Sequence, residues 1–226
     1  MKRRPVRFSL RPALLLLMIC GLLLPLPGGS AQERGCEGAL SALQGTYCAL
    51  TTLTARFRHT LHAKTLGQEE VEEGTLYLAA RGRMRWQYET PKGKLAVSDG
   101  ARSWLYLSAE NQVFVQKVSS GAEAPLALRL LSGEADLRKE FTCLESRQAD
   151  GVSTLRLKPN APIPDLQEVE VRIGAGGLLQ RVAYTDGLVN EIILEFWDLA
   201  TGGKLDASLF SFQPPRGVRV LEAGGD

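Results

Sequence analysis

From Gly74 to Leu107 large apolar residues fall at every second position. Met84, Trp86 and Tyr88 make one run, Leu95 and Val97 the next, and Trp104 and Tyr106 the third, with Arg, Lys and Gln interleaved. This period predicts strands with one apolar and one wet face. Thr90-Pro91-Lys92-Gly93 and Asp99-Gly100 separate the runs. The second is a two-residue hairpin signal, because Gly accepts the positive φ that such turns need. The stretch therefore reads as a meander whose shared face is rich in aromatics, either a core or the wall of a cavity.

The pattern changes on both sides. Leu40, Leu43, Tyr47 and Leu50 recur at spacings of three and four, predicting a helix from Glu37 to about Thr52 that Gly45 weakens. Strand-like runs then lie near 54–64, 70–80, 83–89, 94–99, 102–107 and 111–117, and resume near 140–148, 153–158, 167–174, 178–185 and 190–198. Between the two series Pro125 and Gly133 bound a leucine-rich segment carrying Leu126 and Leu130, which reads as a second, short helix. About eleven short strands joined by tight turns predict one strongly curved antiparallel sheet or barrel, with two apolar helices to cover its hollow side. The fold class is α+β, mainly β. Phe57, Leu61, Met84, Trp86, Tyr88, Leu95, Val97, Trp104 and Tyr106 are the expected lining of that hollow, with Leu126 and Leu130 from the covering helix.

The N-terminus alters the charge argument. Lys2, Arg3, Arg4, Arg7 and Arg11 precede an apolar run from Pro12 to Leu26 and the small residues Gly29-Ser30-Ala31, the pattern of a cleavable export signal over residues 1–31. The run is short for a membrane span, so a retained anchor is the weaker reading. Removing it takes away five of the 27 basic residues and none of the 25 acids, turning a net charge of +2 into −3. No electrostatic footprint for nucleic acid remains. Residues 32–226 are enough for one domain.

Cys36, Cys48 and Cys143 stay in that domain, and an exported context permits one disulfide. Cys36 and Cys48 stand about 18 Å apart on a regular helix, beyond the roughly 7 Å a disulfide tolerates. Cys143 is therefore expected to pair with either Cys36 or Cys48 and staple the first helix to the sheet. Opening would then fall to the 125–132 segment, which Gly121 and Gly133 would leave free to swing.

Catalytic chemistry finds little support. His59 and His62 are an odd number of residues apart, so on a strand they diverge and form no metal pair. Nucleophile elbows, Cys-x-x-Cys pairs and phosphate-cradling loops are missing from the sequence. Neither enzyme activity, cofactor nor metal is expected.

The order of motifs resembles the periplasmic lipoprotein carriers of Gram-negative bacteria (the LolA-like family). It runs through Leu53-Thr54-Ala55-Arg56-Phe57, Gly74-Thr75-Leu76-Tyr77, Met84-Arg85-Trp86-Gln87-Tyr88, Pro91, Val97-Ser98-Asp99-Gly100, Trp104-Leu105-Tyr106 and the Pro125–Gly133 segment. It ends with Phe210-Ser211-Phe212-Gln213-Pro214-Pro215-Arg216-Gly217-Val218. The resemblance implies an unclosed antiparallel β-barrel of about eleven strands with helices over a hydrophobic cavity. It also implies a monomeric periplasmic carrier that takes acylated lipoproteins from an inner-membrane lipoprotein-releasing ABC transporter to an outer-membrane acceptor. A periplasmic lipid- or lipoprotein-sensing adaptor, or a carrier of another lipid, is the alternative. One position departs from the family: its lid-locking arginine, six residues before the motif tryptophan, falls at Ala80. Arg81 follows and on a strand points the other way, unless a bulge near Gly82 re-registers it.

Overall fold

The computed structural model describes residues 31–118, 126–133, 135–163 and 166–222. The expected export signal, except Ala31, lies outside that set, as do Gly121 and Pro125. The chain forms α1 (Ala31–Ala49), β1 (Thr52–Ala63), β2 (Gln68–Ala79), β3 (Arg83–Thr90), β4 (Lys94–Asp99), β5 (Arg102–Leu107) and β6 (Gln112–Lys117). Two short helices, α2 (Leu126–Leu131) and α3 (Leu137–Glu140), lead into β7 (Phe141–Ala149), β8 (Val152–Pro159), β9 (Val169–Ile173), β10 (Leu179–Thr185), β11 (Glu191–Thr201) and β12 (Arg219–Glu222). The first helix ends before its expected limit because Thr52 already belongs to β1.

All twelve strands join one sheet, in the order β12-β6-β5-β4-β3-β2-β1-β11-β10-β9-β8-β7. The sheet is unclosed, with β12 and β7 at its two edges. Every pairing is antiparallel except β12 with β6. That twelfth strand escaped the sequence reading because Arg219-Val220-Leu221-Glu222 is too short to show a period.

Alternation assigns each strand an inner and an outer face. On the inner face Phe57 pairs with Gly74 and Phe196, Leu76 with Ala55 and Trp86, and Val182 with Leu194 and Val171. Cys36, Leu40, Leu43 and Tyr47 of α1 join Leu53, Phe57, Leu76, Leu155, Val171, Ile173 and Leu179 in one core. Leu43 and Phe57 retain no exposure at all.

The helix is fastened at several points. Cys36 is bonded to Cys143 of β7, with Cα atoms 6.3 Å apart, and Cys48 stays free. The Thr46 hydroxyl donates to the Gly176 carbonyl at 2.6 Å, the Cys48 thiol to the Gly133 carbonyl at 2.7 Å, and the Leu137 amide to Gln44 Oε1 at 3.0 Å. The Leu179 amide donates to the Tyr47 hydroxyl, whose burial, outweighing that bond, pushes its pKa up to about 12. Gly133, at φ 71°, presses against α1: a Cβ there would lie 2.5 Å from the Tyr47 carbonyl. The expected swinging hinge is thus a pinned contact.

The segment it follows is pinned too. Leu130 and Leu131 of α2 are buried, and so is Arg129. The Arg129 Nε donates to Glu140 Oε2 at 2.7 Å, and the guanidinium stands 5.2 Å from the Phe141 ring centroid. Arg81 forms no side-chain hydrogen bond or ion pair among the described residues. It and Gly82 both have positive φ at the turn between β2 and β3, and Arg81 is exposed, so no bulge re-registers it.

Candidate functional site

The α1 helix covers only part of the inner face, and an apolar hollow remains over β1 and β3–β6. Its base is the row Trp86–Ala96–Leu105–Phe114, one residue from each of four neighbouring strands. Ala96 is small, so the floor sinks between Trp86 and Leu105. A cavity of about 400 Å³ stands there, lined by Phe57, His59, Met84, Trp86, Tyr88, Leu105, Phe114 and Leu194 among others. Small-molecule sites commonly fall within about 300–1,000 Å³.

Gly74 shapes one wall. It lies between Phe57 and Tyr88 in the cross-strand row, and a Cβ there would meet the Phe57 ring at 2.9 Å and the Gln87 carbonyl oxygen at 2.1 Å. The Phe57 ring occupies that space, edge-on to Trp86 at 5.0 Å and to Tyr88 at 5.1 Å between centroids. Trp86 meets Phe196 at 6.0 Å. These edge contacts add to the burial of the rings and hold them upright around the hollow.

Not every expected lining residue faces it. Phe57, Met84, Trp86, Tyr88, Val97 and Trp104 touch the cavity, whereas Leu61, Leu95, Tyr106, Leu126 and Leu130 are not among its lining residues. For Leu95 and Tyr106 the cause is register. Leu95 pairs with Tyr106 and Val97 with Trp104, so these four do share a face. Across the previous hairpin, however, Val97 meets Arg85 and Leu95 meets Gln87, while Trp86 meets Ala96. The four side chains therefore lie on the outer face, and Val97 and Trp104 border the cavity where their strands form its floor. Leu130 went to the core under α2 instead.

A C-terminal strap covers that outer face. Asp206 caps a short 3₁₀ turn (Ala207–Phe210) by accepting from the Ser208 amide at 2.8 Å. Phe212 then stands 6.4 Å from Trp104 and 5.8 Å from Tyr106. Arg85 Nη1 donates to the Leu209 carbonyl at 3.2 Å, and the Arg83 guanidinium sits 5.4 Å from the Phe210 ring. Ala96, Leu105, Phe114 and Leu194 are among the lining residues that alternation alone missed.

At the β1–β2 hairpin end the inner face turns polar. Glu72, opposite His59, lies 3.2 Å from its Nδ1 and accepts from Lys94 Nζ at 2.6 Å; the ammonium stands 4.5 Å from the Tyr88 ring centroid. Burial alone would raise the Glu72 pKa, but bonds from His59 and Lys94 outweigh it and lower it. No group of three or more potential metal ligands occurs among the described residues, and none of their helices is long and apolar enough to cross a membrane.

The family described as "Outer membrane lipoprotein carrier protein LolA" matches residues 49–213 of the chain. An outer-membrane lipoprotein carrier protein of Chromohalobacter salexigens is 30% identical over 204 residues, covering 90% of this chain and 94% of that one. Its counterpart in Alcanivorax borkumensis is 31% identical over 66% of this chain and 71% of its own. Among solved structures, an uncharacterized conserved protein from Thermus thermophilus superposes with a TM-score of 0.52 at 14% identity, over 83% of this chain and 99% of that one, a likeness of fold alone.

Proposed function

Because the chain belongs to the LolA family of outer membrane lipoprotein carriers, we propose that it shields the acyl chains of lipoproteins and shuttles them from the inner to the outer membrane. The observation that carries this reading is the apolar cavity over Trp86, Ala96 and Leu105. Each acyl CH₂ left in water costs about 0.8 kcal/mol, so a chain of roughly 16 carbons needs such a shelter to cross an aqueous compartment. The protein works in the periplasm, reached through a cleavable signal over residues 1–31. An inner-membrane lipoprotein-releasing ABC transporter loads it and an outer-membrane acceptor unloads it. Binding and release are its whole chemistry, with no catalytic step. Depleting the protein from its native cells and fractionating their membranes tests this. Outer-membrane lipoproteins should accumulate in the inner membrane, and an unchanged distribution would contradict the assignment.

A further inference from the structure

The inner face changes character within a short distance. On β2 the residues facing inward run Leu78, Leu76, Gly74, Glu72, and on β1 they run Leu53, Ala55, Phe57, His59. Two residues, about 7 Å of strand, separate the Phe57–Gly74 pair from the His59–Glu72 pair. The apolar cavity therefore has a polar end, and two side chains with spare hydrogen-bonding capacity stand in its wall there.

Tyr88 is one. It lines the cavity, and its hydroxyl makes no hydrogen bond among the described residues. Burial, helped by the nearby Glu72 carboxylate, pushes its pKa upward, which keeps the hydroxyl a donor. His59 is the other. The Glu72 carboxylate only accepts, so Nδ1 carries the hydrogen of that contact, and in the neutral ring Nε2 is left as an acceptor. Glu72 and Lys94 hold these two from behind, one bonded to His59 and the other lying against Tyr88. Because the ammonium and carboxylate neutralise each other at 2.6 Å, this pair offers no unpaired charge to a phosphate or a free carboxylate. A donor and an acceptor lining the same cavity instead suit a linkage with a carbonyl oxygen to receive the one and, in an amide, an N–H to satisfy the other.

We infer that Tyr88 and His59 form a seat for the uncharged amide or ester linkage of an acyl chain, with the chain itself lying over Trp86. This rests on the carrier reading and adds a direction to it: the lipoprotein head leaves the cavity at the β1–β2 hairpin end. Glu72 and Lys94 are positioning residues. The seat discriminates acyl chains by how they are joined to their heads, which a purely apolar hollow does not.

Two probes decide it: the hexadecanoyl amide of a neutral fluorophore and the hexadecyl derivative of the same fluorophore without the carbonyl. The parent protein should prefer the amide by about three- to tenfold, the worth of one hydrogen bond in a half-buried site. Tyr88→Phe, which removes only the hydroxyl, should abolish that preference by costing the amide probe more affinity than the hexadecyl probe. His59→Leu should reduce the preference in the same way and serves as the second reporter if the first variant misfolds. A parent that binds both probes equally, or variants that lose both probes in parallel, would overturn the seat and leave the carrier reading standing. A parent that binds neither probe would overturn both.

Discussion

Gly74 faces Phe57 across the β1–β2 ladder, and the hydrogen that stands in place of a side chain at Gly74 is what admits the Phe57 ring. A methyl at that position meets both the ring and the Gln87 backbone. Gly74→Ala should therefore lower stability by about 1–3 kcal/mol through overpacking and narrow the cavity. Urea unfolding checks the first effect and titration with an acyl probe the second. Parental values for both would show that the wall yields without cost.

The two tryptophans of the meander should separate cleanly. Trp104 packs against Phe212 on the outer face, while Trp86 stands among Phe57, Phe196 and the cavity. Trp104→Ala should cost about 2–3 kcal/mol of stability, below the roughly 3–5 of a fully buried ring because Trp104 is half-exposed, and leave most acyl binding in place. Trp86→Ala should weaken acyl binding at least tenfold. Melting temperatures and probe titrations of both variants give the answer, and a reversed order would mean the faces were exchanged.

That exchange is the main thing alternation left unreadable. Apolar residues at 84, 86 and 88 and at 95, 97, 104 and 106 each mark a strand, and each strand is there. Whether Trp86 meets Ala96 or Val97 depends on the register across the Thr90–Gly93 turn, and a one-residue change swaps faces. On β4 the apolar side, Leu95 and Val97, is the outer one, and the inner side carries Lys94, Ala96 and Ser98, so polarity pointed to the wrong face. The Phe210–Val218 motif carried the resemblance without disclosing what it packs on. By contrast, the α1 stripe of Leu40, Leu43 and Tyr47 was legible because helix spacing alone determines which residues share a face.

The Cys36–Cys143 bond closes a loop of 107 residues in sequence separation. In the chain-entropy account a loop of that length contributes about 4–5 kcal/mol, and measured losses run about 2–5. Cys143→Ser should lower stability within that range. Non-reducing peptide mapping of the parent should yield a Cys36–Cys143 pair and an alkylatable Cys48. A Cys48–Cys143 pair would contradict the placement of α1.

Arg129 and Glu140 tie α2 to the end of α3 largely out of water, with side chains 4% and 19% exposed. Removing one partner strands the other charge, so Glu140→Gln should cost about 3–5 kcal/mol. The double variant Arg129→Met/Glu140→Gln should recover part of that loss. Chemical denaturation of the two variants reads both values. A double variant no more stable than the single one would show that the guanidinium serves through packing on Phe141 rather than through its charge.

An acyl chain held in the cavity should lie against Trp86, whose fluorescence measures that contact. The chain holds three tryptophans, Trp86, Trp104 and Trp197, so Trp104→Phe/Trp197→Phe leaves Trp86 as the sole emitter. Titrating this variant with a lipopeptide brominated on its palmitoyl chain should quench Trp86 saturably at one lipopeptide per protein, while the unbrominated lipopeptide leaves the emission unquenched. A variant with Trp197 alone, on the outer face, should show no such quenching. Binding without quenching of Trp86, or quenching of Trp197 instead, would place the acyl chain elsewhere and contradict the account.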